Sequence, residues 1–185
     1  DFFVSNFVDA FSLFGLEISA GSLNIILPVG ISFYTFQTLS YSIDVYRRKL
    51  KHTDDFIAFS AFVCFFPQLV AGPIERATNL LPQFLKARKF NYDQAADGMR
   101  QILWGLFKKV VVADNCAVFV NAIFDNPDPL SGSTLFMGAV LFAFQIYCDF
   151  SGYSDIAIGT SRLFNINLKQ NFATPYFSRN IGEFW

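Results

Sequence analysis

The stretch FQIYCDFSGYSDIAIGTSRLFNINLKQNFATPYFSRNIGEFW, Phe144–Trp185, decides the fold. It opens at the end of an uncharged run and then sets Asp149, Ser151, Tyr153, Ser154 and Asp155 among apolar residues. A charge at mid-bilayer costs about 2.5–3.5 kcal/mol on insertion scales, so membrane chains keep one where it lines a cavity or meets a partner. On a helix Asp149 and Tyr153 share one face at i, i+4, and Ser151 and Asp155 share another. Gly152, Ile156 and Gly159 form a low stripe that a second helix can approach closely. Two readings of the acids stay open: they border a polar interior, or they sit at the cytoplasmic membrane edge and pair with Arg162.

Working outward, the composition is that of a membrane chain. Charged residues make up 16% of the sequence and hydrophobic residues 53%, with 25 Phe, whereas a soluble domain carries about 25% charged residues. Mean hydropathy is +0.37. A net charge of −1 gives no footprint for nucleic acid. Three stretches lack any charge: 26 residues between Glu17 and Asp44, 19 between Asp55 and Glu75, and 20 between Asp128 and Asp149. A spanning helix needs about 20 mainly apolar residues. The expectation is an all-α, polytopic membrane helical bundle with broken or re-entrant helices. The chain opens without Met inside an apolar run and closes on Trp185, so residues 1–185 are expected to be one part of a longer multi-pass domain.

The first stretch bends at Pro28-Val29-Gly30 and turns hydroxyl-rich towards Ser42, as a helix packed on protein does. It ends in Arg47-Arg48-Lys49-Leu50-Lys51, which the positive-inside rule puts on the cytoplasmic side. The second stretch is interrupted by Pro67 and by Gly72-Pro73, and basic residues follow it as well as precede it. A helix that dips in and returns satisfies both basic segments. Residues 93–124 carry helical periodicity at Met99, Ile102, Leu103, Leu106, Phe107 and Val110. Lys108-Lys109 is expected to snorkel from a helix lying along the cytoplasmic interface, with Trp104 at headgroup level. Asp114 and Asn115 then require partners. Asp125-Asn126-Pro127-Asp128-Pro129, with two acids and no Lys or Arg, is an outer-face turn.

Phe65-Phe66-Pro67-Gln68-Leu69-Val70-Ala71-Gly72-Pro73-Ile74-Glu75-Arg76 is a second cluster. It reads either as the wall of a substrate passage, with Gln68 a neutral polar group at depth, or as a helix break followed by a surface pair. In the third cluster, Asn171–Trp185, Arg179 suits a phosphate, a carboxylate or a lipid headgroup. Cys64, Cys116 and Cys148 lack ligand spacing, and His52 sits alone in a charged connection, so neither metal chemistry nor a histidine base is expected from this chain. No GxSxG, phosphate-binding loop or GxGxxG is present.

These clusters, together with Leu27–Gln37, Asp44-Val45-Tyr46-Arg47 and Gly98–Asp114, occur in an order that resembles the membrane-bound O-acyltransferase family. The similarity is to its polysaccharide O-acetylation branch, the alginate type, and runs from about residue 20 to the end. The resemblance implies a many-helix protein of the bacterial inner (cytoplasmic) membrane, with a tunnel joining its two faces. It implies acyltransferase activity: an acetyl group moves from acetyl-CoA or another acyl thioester on the cytoplasmic side, with no bound cofactor. The acceptor is a hydroxyl of an exported polysaccharide, reached directly or through an extracytoplasmic acetyltransferase partner. The family's essential histidine is expected just after Glu183-Phe184-Trp185, outside this sequence. Within it, Gln68, Asp149, Ser151, Tyr153, Asp155 and Arg179 are the candidates for lining the substrate tunnel, the two acids as tunnel or framework groups. Other readings are D-alanyl or fatty acyl transfer by the same family, or a transporter built from discontinuous helices.

Overall fold

Side-chain caps set where three of the helices begin. Asp55 accepts from the Ala58 amide at 2.9 Å, Asn91 from the Gln94 amide at 3.2 Å and Ser131 from the Thr134 amide at 3.3 Å. Each satisfies an amide that the first turn leaves without a partner. The computed structural model describes residues 11, 30–69, 72–73, 75–125, 130–171 and 174–184. The expected bend at Pro28, most of the apolar run over 1–16, Val70, Ala71, Ile74, most of the turn at 125–129, Phe172, Ala173 and Trp185 lie outside the described residues.

The described elements are all helical. They are α1 Ile31–Tyr46, α2 Phe56–Val63, α3 Ala77–Leu85, α4 Tyr92–Leu106, α5 Asp114–Phe124, α6 Gly132–Leu163 and the short α7 Ile181–Phe184. Single 3-10 turns occupy Phe66–Gln68 and Pro175–Phe177. The stretch 56–74 is broken as its prolines predict: α2 has only 8 residues before the 3-10 turn. The rings of Phe65 and Phe84, 5.4 Å apart, bring the ends of α2 and α3 together.

Residues 92–124 wind almost continuously, but Phe107–Ala113 is π-helical and joins α4 to α5. Such widened turns are rare and use i→i+5 bonds. The Asp114 amide accordingly donates to the Lys109 carbonyl. Asn115 Nδ2 donates to the Val110 and Val111 carbonyls at 3.3 and 2.8 Å, covering acceptors that the change of winding frees.

This long helix runs antiparallel to α6. Facing pairs descend in step: Gly98 meets Gly159, Gly105 meets Gly152, and Ile123 meets Gly138. Added Cβ atoms on Gly98 and Gly105 would lie 2.6 Å from the carbonyl oxygens of Gly159 and Gly152. The four glycines therefore let the two backbones touch. A core of α2 and α3 (Ala58, Phe62, Leu80 and Leu81) docks against Ile158 of α6 and against Ile166 beyond it.

On α1 and along part of α6, burial runs against the pattern of a water-soluble fold. On α1 the buried side chains are Gln37 and Asp44, while Phe36 and Leu39 are 59% and 51% exposed. On α6 the buried face carries Ser151, Gly152, Ser154 and Ser161, while Phe136, Phe144 and Phe150 point outward. The periodic apolar row of α4 also faces out, with Leu103 70% exposed. Soluble monomers rarely expose apolar surface on this scale. Among the described residues α6 is the one helix long and apolar enough to cross a membrane.

Candidate functional site

Between the glycine contacts, α4, the π-helical stretch and α6 enclose a polar seam. Gln101 Nε2 donates to Asp155 Oδ1 at 3.0 Å, and Lys108 Nζ donates to Ser151 Oγ at 3.1 Å while forming an ion pair with Asp155 Oδ2. The Lys108 and Asp155 side chains are 12% and 16% exposed. Next along the seam, Lys109 Nζ bridges Asp149 Oδ1 at 2.7 Å and Asp114 Oδ1 at 2.9 Å. Asp97 and Arg162 close the far end as an ion pair.

The widened turns account for part of this pattern. Lys109 and Asp114 are five residues apart, a separation that an ordinary helix turns to different faces and i→i+5 winding brings back into line. Asp114 and Asn115 thus find the partners their positions require. Lys108 does not snorkel. Its ammonium turns inward because two acceptors of α6 lie within reach and the glycine contacts hold α6 close. Arg162 pairs with Asp97 and with neither Asp149 nor Asp155.

The six candidate residues fall into different surroundings. Ser151 and Asp155 share Lys108, so they lie on one face of α6. Asp149 is half exposed on the Lys109 side, and Tyr153 is half-buried. Gln68 is fully buried on the 3-10 turn after α2, and neither atom of its amide has a partner among the described residues. Gly30 abuts this turn: its φ is 81°, and an added Cβ would lie 2.9 Å from the Leu69 carbonyl oxygen. Gln37, two turns further along α1, is almost as fully buried and equally without a partner among the described residues. Arg179 is exposed near the end of the chain, its amide donating to Glu183 Oε2 at 2.9 Å.

Lys108, Lys109 and Gln101 complete the seam but were not among the candidates. Their signal was the seven-residue glycine spacing at 98 and 105, which matches 152 and 159 and pins α4 to α6 in one register.

With this geometry in place, similarity to known proteins assigns the chain. No family profile matches it. It is 43% identical, over 88% of its length, to the probable alginate O-acetylase of Pseudomonas aeruginosa. It is 38% identical, over 89%, to the peptidoglycan O-acetyltransferase of Helicobacter pylori. The chain belongs with the membrane-bound O-acyltransferases. A teichoic acid D-alanyltransferase of Bacillus subtilis stands further off, at 29% over 88% of the chain. The chain spans about a third of the length of the curated O-acetyl relatives, 31% of the Pseudomonas protein and 36% of the Helicobacter protein. In this membrane-bound O-acyltransferase family chain the described residues form a helical seam and its flanking segments, and His52 is the one histidine of the sequence.

Proposed function

We propose that this chain is a membrane-embedded section of a multi-pass O-acetyltransferase of the bacterial inner membrane. The enzyme moves an acetyl group from acetyl-CoA or another acyl thioester on the cytoplasmic side towards hydroxyls of an exported, alginate-like polysaccharide. The transfer runs directly or through an extracytoplasmic acetyltransferase partner. The observation that carries this reading is the 43% identity to an alginate O-acetylase against 29% to a D-alanyltransferase. The reversed burial of α1 and α6 supports the multi-pass placement, since helices with apolar outsides and polar contacts are solvated by lipid.

The chemistry divides the labour. A hydroxyl of high pKa needs a base near neutral pH, which a histidine outside this chain supplies. Attack on the thioester carbonyl develops an oxyanion that aimed donors must stabilise. In this proposal Lys108 and Asp155 are framework groups that hold α4 on α6. Ser151, Asp149 and Tyr153 border the passage beside them, Gln68 is a neutral polar group at depth, and Arg179 meets an anionic portion of the donor.

The test uses the full-length protein in its host. Replacing the histidine that follows the Glu183–Trp185 segment with alanine is expected to remove at least 90% of the base-labile acetyl from the exported polysaccharide, while the protein stays in the membrane fraction at the wild-type level. Unchanged acetylation would overturn the assignment.

A further inference from the structure

We infer that Glu75 is a positioning residue, a latch that fixes the segment after α6 and so sets the path of the chain towards Trp185. The inference rests on the transfer reading above and deepens it. Glu75 is 1% exposed. Its Oε2 accepts from Asn79 Nδ2 at 2.8 Å, and its Oε1 accepts from the backbone amide of Lys169. Among the described residues it meets no cation. A buried carboxylate held by neutral donors alone is expensive, so its reach matters more than any ion pair.

The segment it holds has no sheet to supply its backbone bonds. Gln83 takes that part: the Asn167 amide donates to Gln83 Oε1 at 2.8 Å, and Gln83 Nε2 donates to the Asn167 carbonyl at 3.0 Å. Gln94 Nε2 donates to Asn167 Oδ1 at 3.0 Å. Ile166 and Leu168 alternate into the core between these polar anchors. The chain then doubles back along α6. Tyr176 Oη donates to the Ala143 carbonyl at 3.0 Å, and its ring lies 5.7 Å from that of Tyr147. Residue 176 thus stands beside residues 143–147, about 24–30 Å back from the end of α6 at about 1.5 Å per residue. That places Tyr176 within two turns of Asp149 along α6. Among the described residues Glu75 is the last side-chain anchor before this return, so its two hydrogen bonds set where the returning segment starts.

Three variants of the full-length protein separate reach from charge. Glu75→Gln keeps an acceptor for Lys169, and a flipped Asn79 amide completes the other bond. Glu75→Asp keeps the charge but draws it back by one methylene, and Glu75→Ala removes both bonds. The measurements are polysaccharide acetyl per membrane-inserted protein in cells, and trypsin cleavage after Lys169 and after Lys49 in the purified protein in lipid nanodiscs. The expected result is that Glu75→Gln stays within about threefold of wild type in both. Glu75→Asp and Glu75→Ala should lose at least tenfold in acetylation and be cut at least fivefold faster after Lys169, with Lys49 unchanged. An active Glu75→Asp beside an inactive Glu75→Gln would overturn the latch in favour of a charge role. Wild-type behaviour of all three, or faster cutting at both sites together, would overturn it equally. If wild type itself transfers no acetyl, the transfer reading fails while the cleavage arm still decides the latch.

Discussion

Lys108 and Asp155 form the one pair in the seam with both side chains largely withdrawn from solvent. Taking two charges out of water is costly, and their mutual attraction compensates only while both are present. Lys108→Ala is therefore expected to destabilise the protein by about 3–5 kcal/mol, the range for breaking a buried pair. Removing both charges with Lys108→Met and Asp155→Leu should recover most of that loss. A double-mutant cycle on unfolding in detergent reads the coupling, and additive losses would show that the pair is not coupled. The acids at 149 and 155 were legible from sequence because charge in an apolar run is conspicuous. Their partners were not: a lysine at a helix end reads as a snorkelling residue until the opposite backbone is known to lie close enough to receive it.

At the level of the elements, the α4–α6 contact depends on hydrogen atoms standing where side chains would be. Gly105→Ala places a methyl 2.6 Å from the Gly152 carbonyl oxygen and Gly98→Ala places one 2.6 Å from that of Gly159, whereas Gly132→Ala meets nothing within 4 Å. The first two should lower the thermal midpoint of the purified protein by several degrees, as backbone separation stretches the seam. Gly132→Ala should leave it unchanged, and fluorescence-detected size exclusion after heating compares the three. The breaks at Pro67 and Gly72-Pro73 were readable because proline lacks the amide that an interior helical turn uses, although Pro82 is accommodated inside α3. The π-helical stretch was not, since Phe107–Ala113 holds neither proline nor glycine and its winding answers to contacts with α6.

Over the whole molecule, the outward apolar faces are the feature to challenge. Phe142→Arg puts a cation on the exposed side of α6, where Phe142 is 46% exposed, and insertion scales price that at about 2.5–3.5 kcal/mol near mid-bilayer. The fraction of α6 segments integrated in a glycosylation-mapping assay should fall at least fivefold, and undiminished integration would show that position 142 does not face the hydrocarbon. The helical class and the order of polar clusters were visible in composition and spacing. Which face turns inward was not, because an apolar periodic row marks the core in water and the outside in lipid. The widened turns at Phe107–Ala113 also constrain how this protein can change length. A widened turn of this kind absorbs one extra residue, so deleting one residue there would restore ordinary winding with the helix beyond it still in register. Phe107–Ala113 is therefore a point where the paired rods can lose a residue, whereas a deletion within the ordinary turns of α5 would rotate Ile123 away from Gly138 by about 100°.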